Sequence, residues 1–183
     1  MACIPAFIGA IVFTIVQAFV FLLVLIGTPL PQFRTKKDIL GIAVAETCVT
    51  LFGGTKKCNG SDYAYRNKDI VCKNQKNTMN AGAAFSIISI ATTLVALIFG
   101  ILMIIKIKCI IIVPFVFVSL SIVTILITWA TVASTKSLKM CGIDGAKYAP
   151  QKYATYGAGF ALMVTAWCLQ VLNLVLLIIV ACC

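Results

Sequence analysis

The chain of 183 residues contains no histidine and only five carboxylates. Its long apolar stretches, residues 1–33, 77–105, 109–135 and 153–183, carry no Asp, Glu, Lys or Arg. Each absence removes a class of chemistry. Intramembrane aspartyl or metal-dependent hydrolysis has neither ligands nor an acid–base pair to use. Proton-coupled transport usually relays protons through buried Asp, Glu or His, and none lies in these stretches. No catalytic group, cofactor or metal site is implied, and an enzyme is not expected. The scarcity of acid also leaves 15 basic side chains facing 5 acidic ones, a formal charge of +10.

What remains is dominated by apolar runs. Hydrophobic residues make up 62% of the chain and the mean hydropathy is +1.09, against an apolar share of about 45–50% in soluble domains. Each run reaches the roughly 20 residues that a helix needs to cross a bilayer core of about 30 Å. The expectation is a single α-helical membrane domain over residues 1–183, a four-transmembrane-helix bundle with a small disulfide-supported, β-containing outer domain. Its spans fall at about 4–28, 81–105, 109–134 and 153–181, its outer loops at 29–80 and 135–152, and its inner turn at 106–108. Ile4–Thr28 reads as a retained span, because it exceeds a usual signal-peptide core and no basic residue precedes it.

Pro29 and Pro31 end that span, and Pro114 is expected to kink the third. Within the first outer loop, Gln32–Lys36 is extended in pattern. Ile39–Val44 fits either a strand or a short helix. Thr47–Phe52 reads as a strand running into a Gly53-Gly54 turn, and Asp69–Lys73 as a further short strand.

Sidedness pulls two ways. The loop of residues 29–80 carries nine basic and four acidic side chains, and residues 136–155 four basic and one acidic. By the positive-inside rule both would face the cytoplasm. The sequon Asn59-Gly60-Ser61 makes Asn59 a glycosylation candidate, which requires the opposite side. Cys48, Cys58, Cys72 and Cys141, in the two larger loops, form an even set suited to disulfides in an oxidising space. Cys3, Cys109, Cys182 and Cys183 all fall at the other membrane boundary, as reduced thiols and acylation candidates. The cysteines outweigh the charge rule, so both termini are placed in the cytoplasm and the protein at the plasma membrane. That compartment excludes nucleic acid as a partner.

Polar residues within the spans are few. Gln17, Gln170 and Asn173, with several Ser and Thr, serve best as interhelical hydrogen-bonding groups, a conducting pathway being the sharper alternative. In the fourth span Gly157, Gly159 and Ala161 supply small residues for close helix packing. Packing inside one chain is preferred to a homo-oligomer seam. The five tyrosines fall in the outer loops or at a span entrance, where some of them form an interfacial belt.

The most specific segment runs from Cys48 to Cys58, with its cysteines symmetric about Gly53. A hairpin would bring them face to face within disulfide reach. Cys72 and Cys141 could then tie the two outer loops together, although four cysteines allow three pairings. Cys48, Val49, Thr50, Leu51, Phe52, Gly53 and Cys58 resemble the signature of the amastins, four-span surface proteins of trypanosomatid parasites. Thr55 and Lys57 depart from that pattern. Tyr156-Gly157-Ala158-Gly159-Phe160 and Ala166-Trp167-Cys168-Leu169 resemble the family's final helix, and the layout is similar to that of claudins. The resemblance implies a surface glycoprotein of the intracellular parasite stage.

Three functions fit this layout. The first is surface contact or adhesion to a host membrane or anionic glycans, drawn by clusters such as Lys36-Lys37 and Lys56-Lys57. The others are an oligomeric channel or transporter and a structural organiser of the parasite surface. The lipid bilayer is the one partner common to all three.

Overall fold

A computed structural model describes residues 6–35, 38–39, 42–43, 48–55, 58, 62–70, 72–105, 112–137, 141–143, 146–148 and 154–182. Four helices dominate: α1 (Ala6–Gly27), α2 (Lys73–Ile104), α3 (Ile112–Ser137) and α4 (Ala158–Cys182). All four are long and apolar enough to cross a membrane. They pack as a ring in chain order, α1 against α2, α2 against α3, α3 against α4 and α4 back against α1.

The buried positions explain that packing. On α2 they are Met79, Gly82, Ser86, Ser89, Thr93, Ala96 and Gly100, with Thr92 beside them. The spacing alternates between three and four residues, a heptad seam built from small and weakly polar side chains. The other helices repeat it, α1 through Ala10, Phe13, Gln17, Val20 and Val24, and α4 through Met163, Ala166, Gln170, Asn173 and Leu177. A 3.5-residue period keeps each seam facing its neighbours along the whole bundle. The opposite faces carry exposed Phe7, Ile15, Phe19, Leu22, Ile98, Val123 and Leu172. The bundle is thus apolar outside and partly polar inside, as lipid requires when it exerts no hydrophobic drive between helices.

At one end of the bundle sits a small cap. Strands β1 (Phe33–Thr35), β2 (Asp38–Ile39), β3 (Ile42–Ala43), β4 (Cys48–Thr50), β5 (Gly53–Thr55) and β6 (Tyr63–Arg66) follow α1. A 3₁₀ turn at Asn67–Asp69 then leads to α2. Between α3 and α4 lie β7 (Cys141–Ile143), β8 (Ala146–Tyr148) and β9 (Ala154–Tyr156). The main sheet has the order β6-β5-β4-β1-β9, and its pairs are antiparallel. β2–β3 and β7–β8 form separate two-stranded ribbons. Because β9 comes from the second cap loop and pairs with β1 from the first, the sheet closes across the mouth of the bundle.

Three local expectations change. Residues 154–156 are a strand, so α4 begins at Ala158 rather than near 153, since Ala154–Tyr156 pair with β1 before the chain turns down. The strand expected at Asp69–Lys73 is a 3₁₀ turn followed by the first turn of α2, and the strand lies earlier, at Tyr63–Arg66. Ile39–Val44, which fitted strand or helix, supplies Ile39 to β2 and Ile42–Ala43 as β3. Pro114 falls in the first turn of α3, where its missing N–H has no helical acceptor to lose.

Candidate functional site

The signature hairpin is fastened to the bundle by its tip. β4 and β5 pair as Cys48 with Thr55, Val49 with Gly54 and Thr50 with Gly53, leaving a two-residue turn of Leu51 and Phe52. Leu51 is fully buried and joins the core formed by Val20, Val24, Ile125, Val132 and Met163. Phe52 packs against the same core from a half-buried position. Around the turn, the Thr50 hydroxyl donates to the Gly53 carbonyl at 2.9 Å and accepts from the Phe52 N–H at 3.2 Å. Asn67 then satisfies both turn carbonyls: its Nδ2 donates to Leu51 O at 2.7 Å and its backbone N–H to Phe52 O at 3.3 Å.

Cys48 and Cys58 are joined by a disulfide, with Cα atoms 5.1 Å apart. They do not sit opposite one another on paired strands as symmetry about Gly53 implied. The strand partner of Cys48 is Thr55, whose hydroxyl also donates to Cys48 O at 3.2 Å. The turn centres between Leu51 and Phe52 rather than on Gly53, with Leu51 drawn into the core, so the bridge closes a loop beyond the end of β5. Such a closure stabilises by about 3 kcal/mol on the chain-entropy account.

The cap's outer edge is β6, whose four residues are all exposed. Tyr63 and Tyr65, two apart, share one strand face. Gly54 pairs with Tyr65, and a Cβ on Gly54 would overlap Cε1 and Cζ of that ring. A Cβ on Gly53 would collide with the Tyr65 carbonyl oxygen and come within 3.2 Å of Tyr63 Cδ1, and Gly53 has φ +155°. The two glycines therefore form a floor across which the tyrosines lie. Beside them is an open depression of about 510 Å³ lined by Asp62, Tyr63, Tyr65, Arg66, Lys68 and Asp69. The Arg66 N–H donates to Asp69 Oδ2 at 2.9 Å, and Lys76 Nζ donates to Lys68 O at 2.8 Å.

Inside the bundle, the spans' amides bridge helices. Gln17 Nε2 donates to Thr93 O at 3.2 Å, Asn173 Nδ2 to Gln17 Oε1 at 2.8 Å, and Gln170 Nε2 to Ser121 Oγ at 2.6 Å. These contacts join α1 to α2, α1 to α4 and α4 to α3. Gln170 Oε1 and Asn173 Oδ1 are buried without a protein partner.

Gly157 and Gly159 pack against the α1–β1 junction. The Gly157 N–H donates to Gln32 O at 2.7 Å and the Gly159 N–H to Pro31 O at 3.0 Å, while a Cβ on Gly157 would collide with Pro31 O. Of the three small residues expected to pack the fourth span, Gly157 and Gly159 are buried and Ala161 is exposed. Nearby, an aromatic run ties α3 to α4. Lys136 Nζ lies 3.5 Å above the Tyr156 ring, Tyr156 stacks on Phe160 at 4.0 Å, and Trp129 meets Phe160 and Trp167 edge-on.

Cys72 sits at the N-cap of α2 and is disulfide-bonded. The side chain of Cys141, its expected partner, lies outside the described residues, as do Asn59, Lys56, Lys57, Cys3, Cys109 and Cys183 and the side chain of Cys182. Among the described residues Cys168 is a free thiol, and no His, Cys, Asp and Glu side chains cluster as metal ligands would. Sequence reasoning missed β6, Asn67 and the heptad seams. The Tyr-Ala-Tyr alternation was the available signal for β6.

The class of molecule is now defined: a multi-pass helical membrane protein whose two loops at one end fold into a disulfide-pinned sheet. The family model for amastin surface glycoproteins matches residues 18–177, and the chain belongs to that family. No curated protein matches it.

Proposed function

We propose that this amastin acts at the plasma membrane, without catalysis, by contacting a host membrane or another anionic surface through its cap, with both termini in the cytoplasm. The observation that carries this reading is the mechanical arrangement of the cap. Its hairpin tip is locked into the core by Leu51 and Asn67, while its edge strand β6 displays Tyr63, Tyr65 and Arg66. A fixed base with an exposed aromatic and basic rim suits recognition. The remaining bridge joins Cys72 to Cys141, which would clamp the two cap loops together.

The test uses the full chain in nanodiscs and vesicles containing anionic lipid. Binding is expected to weaken steeply as salt rises and after charge reversal at Lys56 and Lys57. Binding indifferent to both would overturn the reading. Cysteine labelling of intact cells, with and without reductant, checks the sidedness and the second bridge together. The channel reading draws on one observation, the unpartnered Gln170 Oε1 and Asn173 Oδ1. Solute flux in liposomes that Gln170→Leu abolishes would favour it, and tight liposomes would remove it.

A further inference from the structure

We propose that the depression along β6 is a saccharide subsite that takes an acidic pyranose, a sugar ring bearing a carboxylate. This rests on the contact reading above and names the chemistry that the cap would recognise. The argument begins with the glycine floor. A Cβ at Gly53 is blocked by the Tyr65 carbonyl oxygen, and the bare backbone at Gly54 lets the outer end of the Tyr65 ring lie over the strand. Tyr63 and Tyr65 nevertheless remain 41% exposed each. Two tyrosines held against a sheet, each still showing ring surface to solvent, offer an apolar face with a polar tip. A pyranose presents a matching surface, a patch of ring C–H bonds surrounded by hydroxyls.

The groups around the rings supply the polar half. Asp62 and Asp69 can accept from sugar hydroxyls, though one Asp69 oxygen already accepts from the Arg66 N–H. Arg66 and Lys68 line the same depression. The opening thus carries two cations, Arg66 and Lys68, and two carboxylates, Asp62 and Asp69, of which Asp69 is already engaged by the Arg66 N–H. Arg66 is suited to a planar carboxylate, which a guanidinium can hold through two parallel hydrogen bonds. A neutral sugar would leave that charge unused. The depression is open to solvent, so a terminal sugar would lie along it rather than be enclosed.

The experiment titrates the full chain in nanodiscs with 3′-sialyllactose, lactose, sodium sulfate and choline chloride, by calorimetry. Sialyllactose is expected to saturate, with lactose at least about tenfold weaker, roughly the loss of one charge-assisted contact. Tyr63→Ala and Arg66→Gln should each weaken sialyllactose by about tenfold or more, and Tyr63→Phe should keep most of the affinity because it keeps the ring face. Unchanged circular dichroism and an intact Cys48–Cys58 bridge would show that each variant is folded. Equal binding of lactose and sialyllactose would overturn the proposal. So would sulfate competing as well as the sugar, choline binding in its place, or wild-type affinity in both variants. Salt-sensitive vesicle binding, measured in parallel, separates the two readings. If it persists while sialyllactose fails to bind, the subsite is wrong and the contact role stands. If sialyllactose binds but vesicles do not, the subsite stands and the vesicle-contact role falls.

Discussion

Gly54 shows how one missing methyl group organises the cap. Its place opposite Tyr65 lets the ring lie across the strand, and an added Cβ would sit where Cε1 and Cζ now are. Gly54→Ala is therefore expected to push the exposed Tyr65 ring off the strand at a cost below about 1 kcal/mol. Adding Tyr65→Ala should recover part of that loss, because the collision disappears, and thermal unfolding of the single and double variants measures it. Asn67 makes a second case. Asn67→Leu leaves the Leu51 carbonyl buried without its 2.7 Å donor, at an expected cost of about 1–3 kcal/mol by the same measurement. The signature itself could be read as a Gly-containing, disulfide-closed hairpin. Its register could not, because the turn position is set by Leu51 entering a core built from other spans and by Asn67, which lies beyond β5 and β6.

Helices show a different limit on what a linear chain reveals. Their existence follows from length and apolarity, which bilayer thickness dictates. Their inward faces do not, because lipid-facing positions such as Phe19 and Leu172 are as apolar as anything inside. The seam is marked by smallness instead, Gly82, Ser86, Ser89, Thr93 and Gly100 on α2, at a period that hydropathy alone does not pick out. Polar residues then set which seams meet. The contact of Gln17 with Asn173 joins α1 to α4. A double-mutant cycle with Gln17→Leu and Asn173→Leu should give a coupling of about 0.6 kcal/mol and no more than about 1.7 kcal/mol, because partners in the loosened state compete for the same amides. Reversible unfolding in detergent checks it.

At the scale of the molecule, cap and bundle share one core. Phe33 and Ala154 of the sheet, Leu51 of the hairpin turn, and Val20, Ile125 and Met163 of the helices belong to a single apolar cluster. Replacing Cys48 and Cys58 by alanine is expected to remove about 3 kcal/mol from the cap. Hydrogen exchange should accelerate in β4 and β5 while the helices keep their protection. Uniform loss of protection across the spans would show instead that the bridge supports the bundle directly.

That shared core bears on how such a protein can be handled. A peptide cut from residues 29–80 would carry the hairpin but neither the β9 strand that completes its sheet nor the helix ends that receive Leu51. Antibodies raised on that fragment would meet an unmoored loop, and those raised on the intact chain would meet a lid already seated.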